Sequence, residues 1–192
     1  MMKKLTASCV TLGSVLMLLT STSFAEPAPN KAMPAKTAAE ALAQYQQAEK
    51  IGQAQLVKFD TLDFDVYSHQ KWDRLSESHA DNIVVHYPDG HTTTGIPDHI
   101  AELKKQFVFA PDTKIKTHPV RIAAHEWTAV IGEMEGTFTQ PMPIGGGKTI
   151  PPTGKHFKLK MATIGHWVNG KMDEEYLFWD NLSFMQQIGL SK

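Results

Sequence analysis

Apolar positions in this chain fall into three regimes: a predominantly apolar run near the N-terminus, helical spacing in the middle, and strand-like runs toward the C-terminus. The first run, Leu5 to Leu19, follows Lys3 and Lys4 and ends ahead of Ser23-Phe24-Ala25. A basic start, an apolar core and small residues at the two recognition positions predict a cleavable secretory signal over residues 1–25. Its core from Val10 to Leu19 is interrupted by Thr, Gly and Ser. A membrane-spanning helix needs roughly 20 predominantly apolar residues, which disfavours an uncleaved anchor. Residues 26–37 carry Pro27, Pro29 and Pro34 without periodicity and predict a disordered linker.

From Ala38 the spacing turns helical, with Ala41, Tyr45, Ala48, Leu56, Phe59, Phe64, Val66 and Tyr67 outlining an apolar stripe and Gly52 a possible break. A short second helix is expected over Trp72–His79, ended by Asp81 and Asn82. Ile83–Tyr87 is β-branched and aromatic and predicts a strand, closed by the turn residues Pro88-Asp89-Gly90. Pro97 suits the first turn of a helix running to Phe109, with Ile100, Leu103, Phe107 and Val108 on its apolar face. Four long strands follow, over Lys114–His125, Trp127–Thr139, His156–Val168 and Lys171–Leu182, with a Gly- and Pro-rich connection over Pro141–Lys155. Asn169-Gly170 between the last two predicts a type I′ hairpin, because both turn positions need positive φ. Gln186–Leu190 reads as a terminal helix or turn. Helices first and antiparallel strands behind make an α+β domain over residues 38–192.

Composition narrows the function. Cys9 is the only cysteine of the 192 residues, and cleavage after Ala25 removes it, so the mature chain has neither disulfide nor thiol nucleophile. Taking Lys3 and Lys4 from the 19 basic residues leaves 17 against 20 acidic ones, a net charge near −3. Nucleic acid and an anionic membrane are poor partners for so mixed a surface. The expected location is periplasmic or secreted.

Strand alternation on the last hairpin gathers Met172, Glu174, Tyr176, Phe178 and Asp180 on one face, and Asp173, Glu175, Leu177 and Trp179 on the other. Ala162, Ile164, His166 and Val168 likewise share a face of the preceding strand. Neither side is simply polar, so both must be covered: one by helices, the other by a second copy of the chain, which predicts a homodimer paired through the sheet. A carboxylate in apolar surroundings has a raised pKa suited to acid–base work, and a nearby His can share its proton. The alternative is that Asp180 caps the turn at Asn181–Ser183 and His166 is a satisfied core histidine.

The stretch from His166 to Asp180, followed by Asn181-Leu182-Ser183 and Gln187-Ile188-Gly189-Leu190, resembles the C-terminal signature of SnoaL-like polyketide cyclases. Ile150-Pro151-Pro152-Thr153-Gly154-Lys155 is similar to the segment preceding the penultimate strand of that family, and Val85-His86-Tyr87-Pro88 to its first strand. The resemblance covers roughly residues 56–190. It implies a nuclear-transport-factor-2-like cone, with helices packed on a strongly curved antiparallel sheet around a pocket, and pairing of subunits through the sheet. It also implies an acid/base Asp at Asp180, a helping His at His166, and a weaker third candidate at His86. Tyr176, Phe178, Ile164 and Trp72 would form the apolar pocket wall. The expected activity is that of a lyase, isomerase or cyclase working without a cofactor on a small apolar carbonyl compound, polyketide-like in character. The alternative is a non-catalytic binder of a small hydrophobic ligand.

Two other signals carry less. Gly145-Gly146-Gly147-Lys148-Thr149 fails the phosphate-loop pattern, since Met142 stands where a Gly is required. His86, Asp89 and His91 lack a regular zinc spacing, and no metal is expected. Glu133 and Glu135 share a strand face and could line the pocket, although paired edge acids are commonly solvated.

Overall fold

The computed structural model describes residues 37–191; the expected signal, and the linker apart from Thr37, lie outside those residues. Helix α1 spans Ala38–Thr61. Thr37 and Glu40 open it as a capping box: Thr37 Oγ1 accepts from the Glu40 amide at 3.2 Å, and the Glu40 carboxylate accepts from the Thr37 amide at 2.9 Å. The helix does not break at Gly52. That glycine is a contact point, where a Cβ would stand 2.7 Å from the Ala123 Cβ. Only the second half of the helix is buried, through Gln55, Leu56 and Phe59, while Tyr45 of the expected stripe is 68 % exposed.

A π-helical turn, Leu62–Tyr67, continues α1 and buries Leu62, Asp63, Val66 and Tyr67. The next helix is a 3₁₀ turn over Trp72–Glu77, shorter than expected. Asp81 and Asn82 do not end it, because strand β1 already begins at His79 and runs to His86. Then come β2 (Thr92–Thr94), helix α2 (Ile96–Phe109), β3 (Lys114–Ala124) and β4 (Trp127–Thr137). A two-stranded ribbon, β5 (Met142–Pro143) with β6 (Thr149–Ile150), sits in the Gly- and Pro-rich connection. Strands β7 (His156–Val168) and β8 (Lys171–Trp179) and helix α3 (Asn181–Gln187) complete the domain. Asn169 and Gly170 have φ of 52° and 77°, as the hairpin pattern requires. Among the described residues no helix is long and apolar enough to cross a membrane.

The fold class is α+β. One six-stranded sheet has the order β2-β1-β8-β7-β4-β3, antiparallel except for the parallel pair β1–β8. Register shifts interrupt β1 between His79 and Val84, β3 between Ile115 and Val120, and β8 at Asp173, opposite His166 and Trp167 of β7. Such bulges bend strands and re-aim side chains. The inner face carries Phe157, Leu159, Thr163 and Trp167 of β7 and Glu175 and Leu177 of β8, all buried. Leu56 and Phe59 of α1 pack against part of it, and Phe107, Phe109 and Ile188 against the rest.

The outer face is the one that carries Ile164, His166, Tyr176 and Phe178. Two registered rows cross it: Val120, Ile131, Ala162 and Phe178, and beside them Ile122, Ala129, Ile164 and Tyr176. Ile122 and Phe178 are 57 % and 50 % exposed.

Candidate functional site

A cavity of about 320 Å³ opens between the π-turn, α2, α3 and the inner face of the sheet. Leu62, Leu103, Met134, Leu159, Met161 and Leu177 supply most of its apolar wall. Two polar clusters interrupt that wall.

The first joins three elements. His79 is the first residue of β1, His99 lies in the first turns of α2, and Glu175 lies on β8; all three are buried. Glu175 Oε2 stands 3.6 Å from His79 Nε2 and 3.5 Å from His99 Nε2. The far sides of both rings are engaged. His79 Nδ1 lies 2.9 Å from Ser78 Oγ and 3.3 Å from the Leu75 carbonyl, and His99 Nδ1 lies 2.9 Å from the Tyr87 hydroxyl. His79 Nε2 and Glu175 Oε2 are buried without a hydrogen bond. Burial alone would raise the Glu175 carboxyl, but His79 and His99 outweigh it and hold the group below the usual range. Burial pulls His99 down to about 4, so its ring is neutral at pH 7.

The second cluster begins with Asp63. The π-turn presents this carboxylate to the cavity, where His118 Nε2 meets it at 2.8 Å. His118 Nδ1 is held at 2.8 Å by Asp60, and Asp60 is paired with Arg121 at 2.8 Å. Burial raises the Asp63 carboxyl, and the bond and charge of His118 offset this only in part. Burial would lower His118, but its bonds to Asp63 and Asp60 outweigh that and raise it. Tyr67 also lines the cavity, and burial, then the Asp63 charge, pushes its hydroxyl far above the ordinary value. A carboxyl poised upward on an apolar wall and bonded to a histidine can take a proton and return it.

None of the seven residues expected at the site from the sequence lines this cavity. Asp180 caps α3, with its Oδ1 accepting from the Ser183 amide at 3.0 Å. His166 points to the outer face, where Nδ1 lies 2.7 Å from Asp173. His86 is there too, stacked on Tyr176 at 4.3 Å and 3.0 Å from the Glu174 carboxylate. Ile164, Tyr176 and Phe178 share that outer face. Trp72 packs on the rings of Tyr67 and Phe107 behind the cavity wall. The sheet turns the other side of the hairpin inward, so Glu175, Leu177 and Trp179 line the cavity. Glu133 and Glu135 bond Lys158 and Lys116 outside.

The family model for SnoaL-like polyketide cyclases matches residues 60–188. No curated protein matches this chain. Among solved structures, a SnoaL-like polyketide cyclase candidate from Jannaschia sp. CCS1 superposes with a TM-score of 0.64 at 19 % identity, over 74 % of this chain and 96 % of the other. A polyketide cyclase candidate from Acidithiobacillus ferrooxidans gives 0.59 at 18 % identity, over 74 % and 96 %. IdmH, a polyketide cyclase candidate from Streptomyces antibioticus, gives 0.56 at 20 % identity, over 66 % and 92 %.

Proposed function

Because the chain belongs to the SnoaL-like polyketide cyclase family, we propose that it is an acid–base lyase, isomerase or cyclase for a small, apolar, polyketide-like carbonyl compound. The observation that carries this reading is the placing of a raised carboxyl, Asp63, and a separate His–Glu cluster on the wall of one apolar cavity. The substrate carbonyl oxygen sits at His79 and His99. Asp63 takes the proton from the neighbouring carbon, with His118 sharing the charge, and the enolate oxygen accepts from His79 or His99 in the Nε2–H tautomer. The same proton returns at another carbon, or the enolate carbon attacks a second carbonyl to close a ring and the proton goes to the new alkoxide.

The test is hydrogen exchange. Small aliphatic and aromatic 1,3-diketones are incubated with the protein in D₂O, and deuterium entry at the carbon between the carbonyls is followed by NMR. Exchange above the buffer rate, lost in Asp63→Asn with the ligand still bound, is the expected result. Binding with no catalysed exchange would move the chain to the alternative reading, a non-catalytic binder. Exchange unchanged in Asp63→Asn would remove Asp63 from the mechanism.

Two further parts of the proposal concern context. The basic and apolar pattern of residues 1–25 supports export, and N-terminal sequencing of the exported form should begin at Glu26. The registered apolar rows of the outer sheet face support a homodimer. Sedimentation should show a dimer that Phe178→Glu dissociates; a wild-type monomer at micromolar concentration would exclude it.

A further inference from the structure

We infer that His79, His99 and Glu175 form a binding site for one divalent first-row transition-metal ion, with a coordination position open to the cavity. His79 Nε2, His99 Nε2 and a Glu175 oxygen lie within 4.8 Å of one another, on three buried side chains. Tetrahedral zinc with bonds of about 2.0–2.1 Å places neighbouring donors roughly 3.3–3.4 Å apart. Glu175 Oε2 lies 3.6 Å from His79 Nε2 and 3.5 Å from His99 Nε2, close to that edge length. Neither separation is a good hydrogen bond, and His79 Nε2 and Glu175 Oε2 are left without one. A buried carboxylate oxygen facing an unpaired ring nitrogen costs free energy unless a cation bridges them.

The supporting shell points the same way. A ligating His uses its second ring nitrogen to bond a carbonyl, carboxylate or hydroxyl, which fixes ring and tautomer. The Leu75 carbonyl and Ser78 hydroxyl hold His79 Nδ1, and the Tyr87 hydroxyl holds His99 Nδ1. A proton on His79 Nδ1 leaves the Nε2 lone pair facing Glu175. Two imidazoles and one carboxylate, with no sulfur, are a donor set for Zn²⁺ or Fe²⁺ rather than for Mg²⁺ or Ca²⁺. The three residues also line the cavity, so the fourth side of the ion would face it. The site rests on its own geometry and holds whether or not Asp63 is the base. Should both hold, the ion would lie where the proposed reaction develops negative charge on oxygen.

The test uses the full mature chain, stripped with chelator and passed through a desalting column. After incubation with Zn²⁺ it is desalted again and its metal content measured by mass spectrometry; a parallel titration follows Co²⁺ by visible absorption. One equivalent of Zn²⁺ and the intense visible bands of four- or five-coordinate Co²⁺ are expected, with Mg²⁺ unable to compete. Glu175→Gln and His99→Gln should each lose the bound equivalent, and Tyr87→Phe should weaken it about 10–100-fold. Asp63→Asn should retain it, which separates failure of the metal site from failure of the acid–base reading. His69→Ala should also retain it, since His69 is exposed and bonds Asp65 instead. Circular dichroism checks that each variant folds. If the buried variants do not fold, Tyr87→Phe and the wild-type Co²⁺ spectrum decide. The inference is overturned by no retained zinc, by the weak spectrum of six-coordinate Co²⁺, or by loss of the equivalent in His69→Ala.

Discussion

Gly52→Ala sets two effects of known sign against each other. Replacing glycine inside a helix gains about 1 kcal/mol of helix propensity. The new Cβ, however, would lie 2.7 Å from Ala123 Cβ on β3. Carbon atoms pack best at about 3.5–4.0 Å, so α1 would have to lift by roughly 1 Å. Overpacking of this kind costs about 1–3 kcal/mol. The net expectation is a loss of about 1 kcal/mol, or about 2–4 °C in Tm for a domain of this size. Ala123→Gly alone should cost about 0.5–1 kcal/mol. With both changes the collision disappears and the helix gain remains, so the double variant should melt above Gly52→Ala and near wild type. Lifting α1 also disturbs the Asp60–His118–Asp63 bonds about 12 Å farther along its axis, so deuterium exchange should slow as well. Thermal melts of the four proteins decide the stability argument. If Gly52→Ala raises Tm, and the two substitutions simply add, α1 does not rest on β3 at this glycine.

Two more outcomes follow from the same side chains. Asp63 and His118 are both raised in the folded state, so the fold retains protons that the unfolded chain would release. The His118 contribution is complete below the unfolded value of about 6.5 and is lost as pH rises through its higher folded value; Asp63 acts with the same sign starting from about 3.9. Tm should therefore fall as pH rises above about 6.5, and His118→Gln should flatten that fall; an unchanged slope in the variant would assign it elsewhere. Asp180→Ala removes the cap of α3 and should cost about 0.5–2 kcal/mol with exchange activity retained, whereas loss of exchange in a fully folded variant would restore Asp180 to the chemistry.

The fold was legible in the sequence where local chemistry dominates. Asn169-Gly170 gave the hairpin, Pro97 the start of α2, and the β-branched runs the four long strands. The C-terminal signature gave the family. The site was harder to read because alternation divides a strand into two faces without saying which one turns inward. On β8 both faces carry apolar side chains, Tyr176 and Phe178 on one and Leu177 and Trp179 on the other, so alternation alone does not separate them. The inner set held Glu175 beside Leu177 and Trp179, a carboxylate between two apolar neighbours. His79 looked like the end of a helix, since its strand begins one residue after a 3₁₀ turn and then bulges before Val84. His118 was hidden by the register shifts of β3: unbroken alternation places it on the face opposite Ile115, and the shifts bring it round to the same side. Asp63 owes its aim to the π-turn, for which the helical period carries no sign.

The place of β8 in the sheet has a consequence for how the chain comes into being. The strand made last lies between β1 and β7, not at an edge. Until it emerges, β2 and β1 have no sheet to join, and β7, β4 and β3 form a separate ribbon. Closing the gap links residues far apart in the chain, and such non-local pairing is slow. Glu175 arrives with that same strand, so the His–Glu cluster is assembled at the final step. A nascent chain therefore stays open until nearly all of it has been synthesised, which is the condition a chain needs if it is to be threaded unfolded across a membrane.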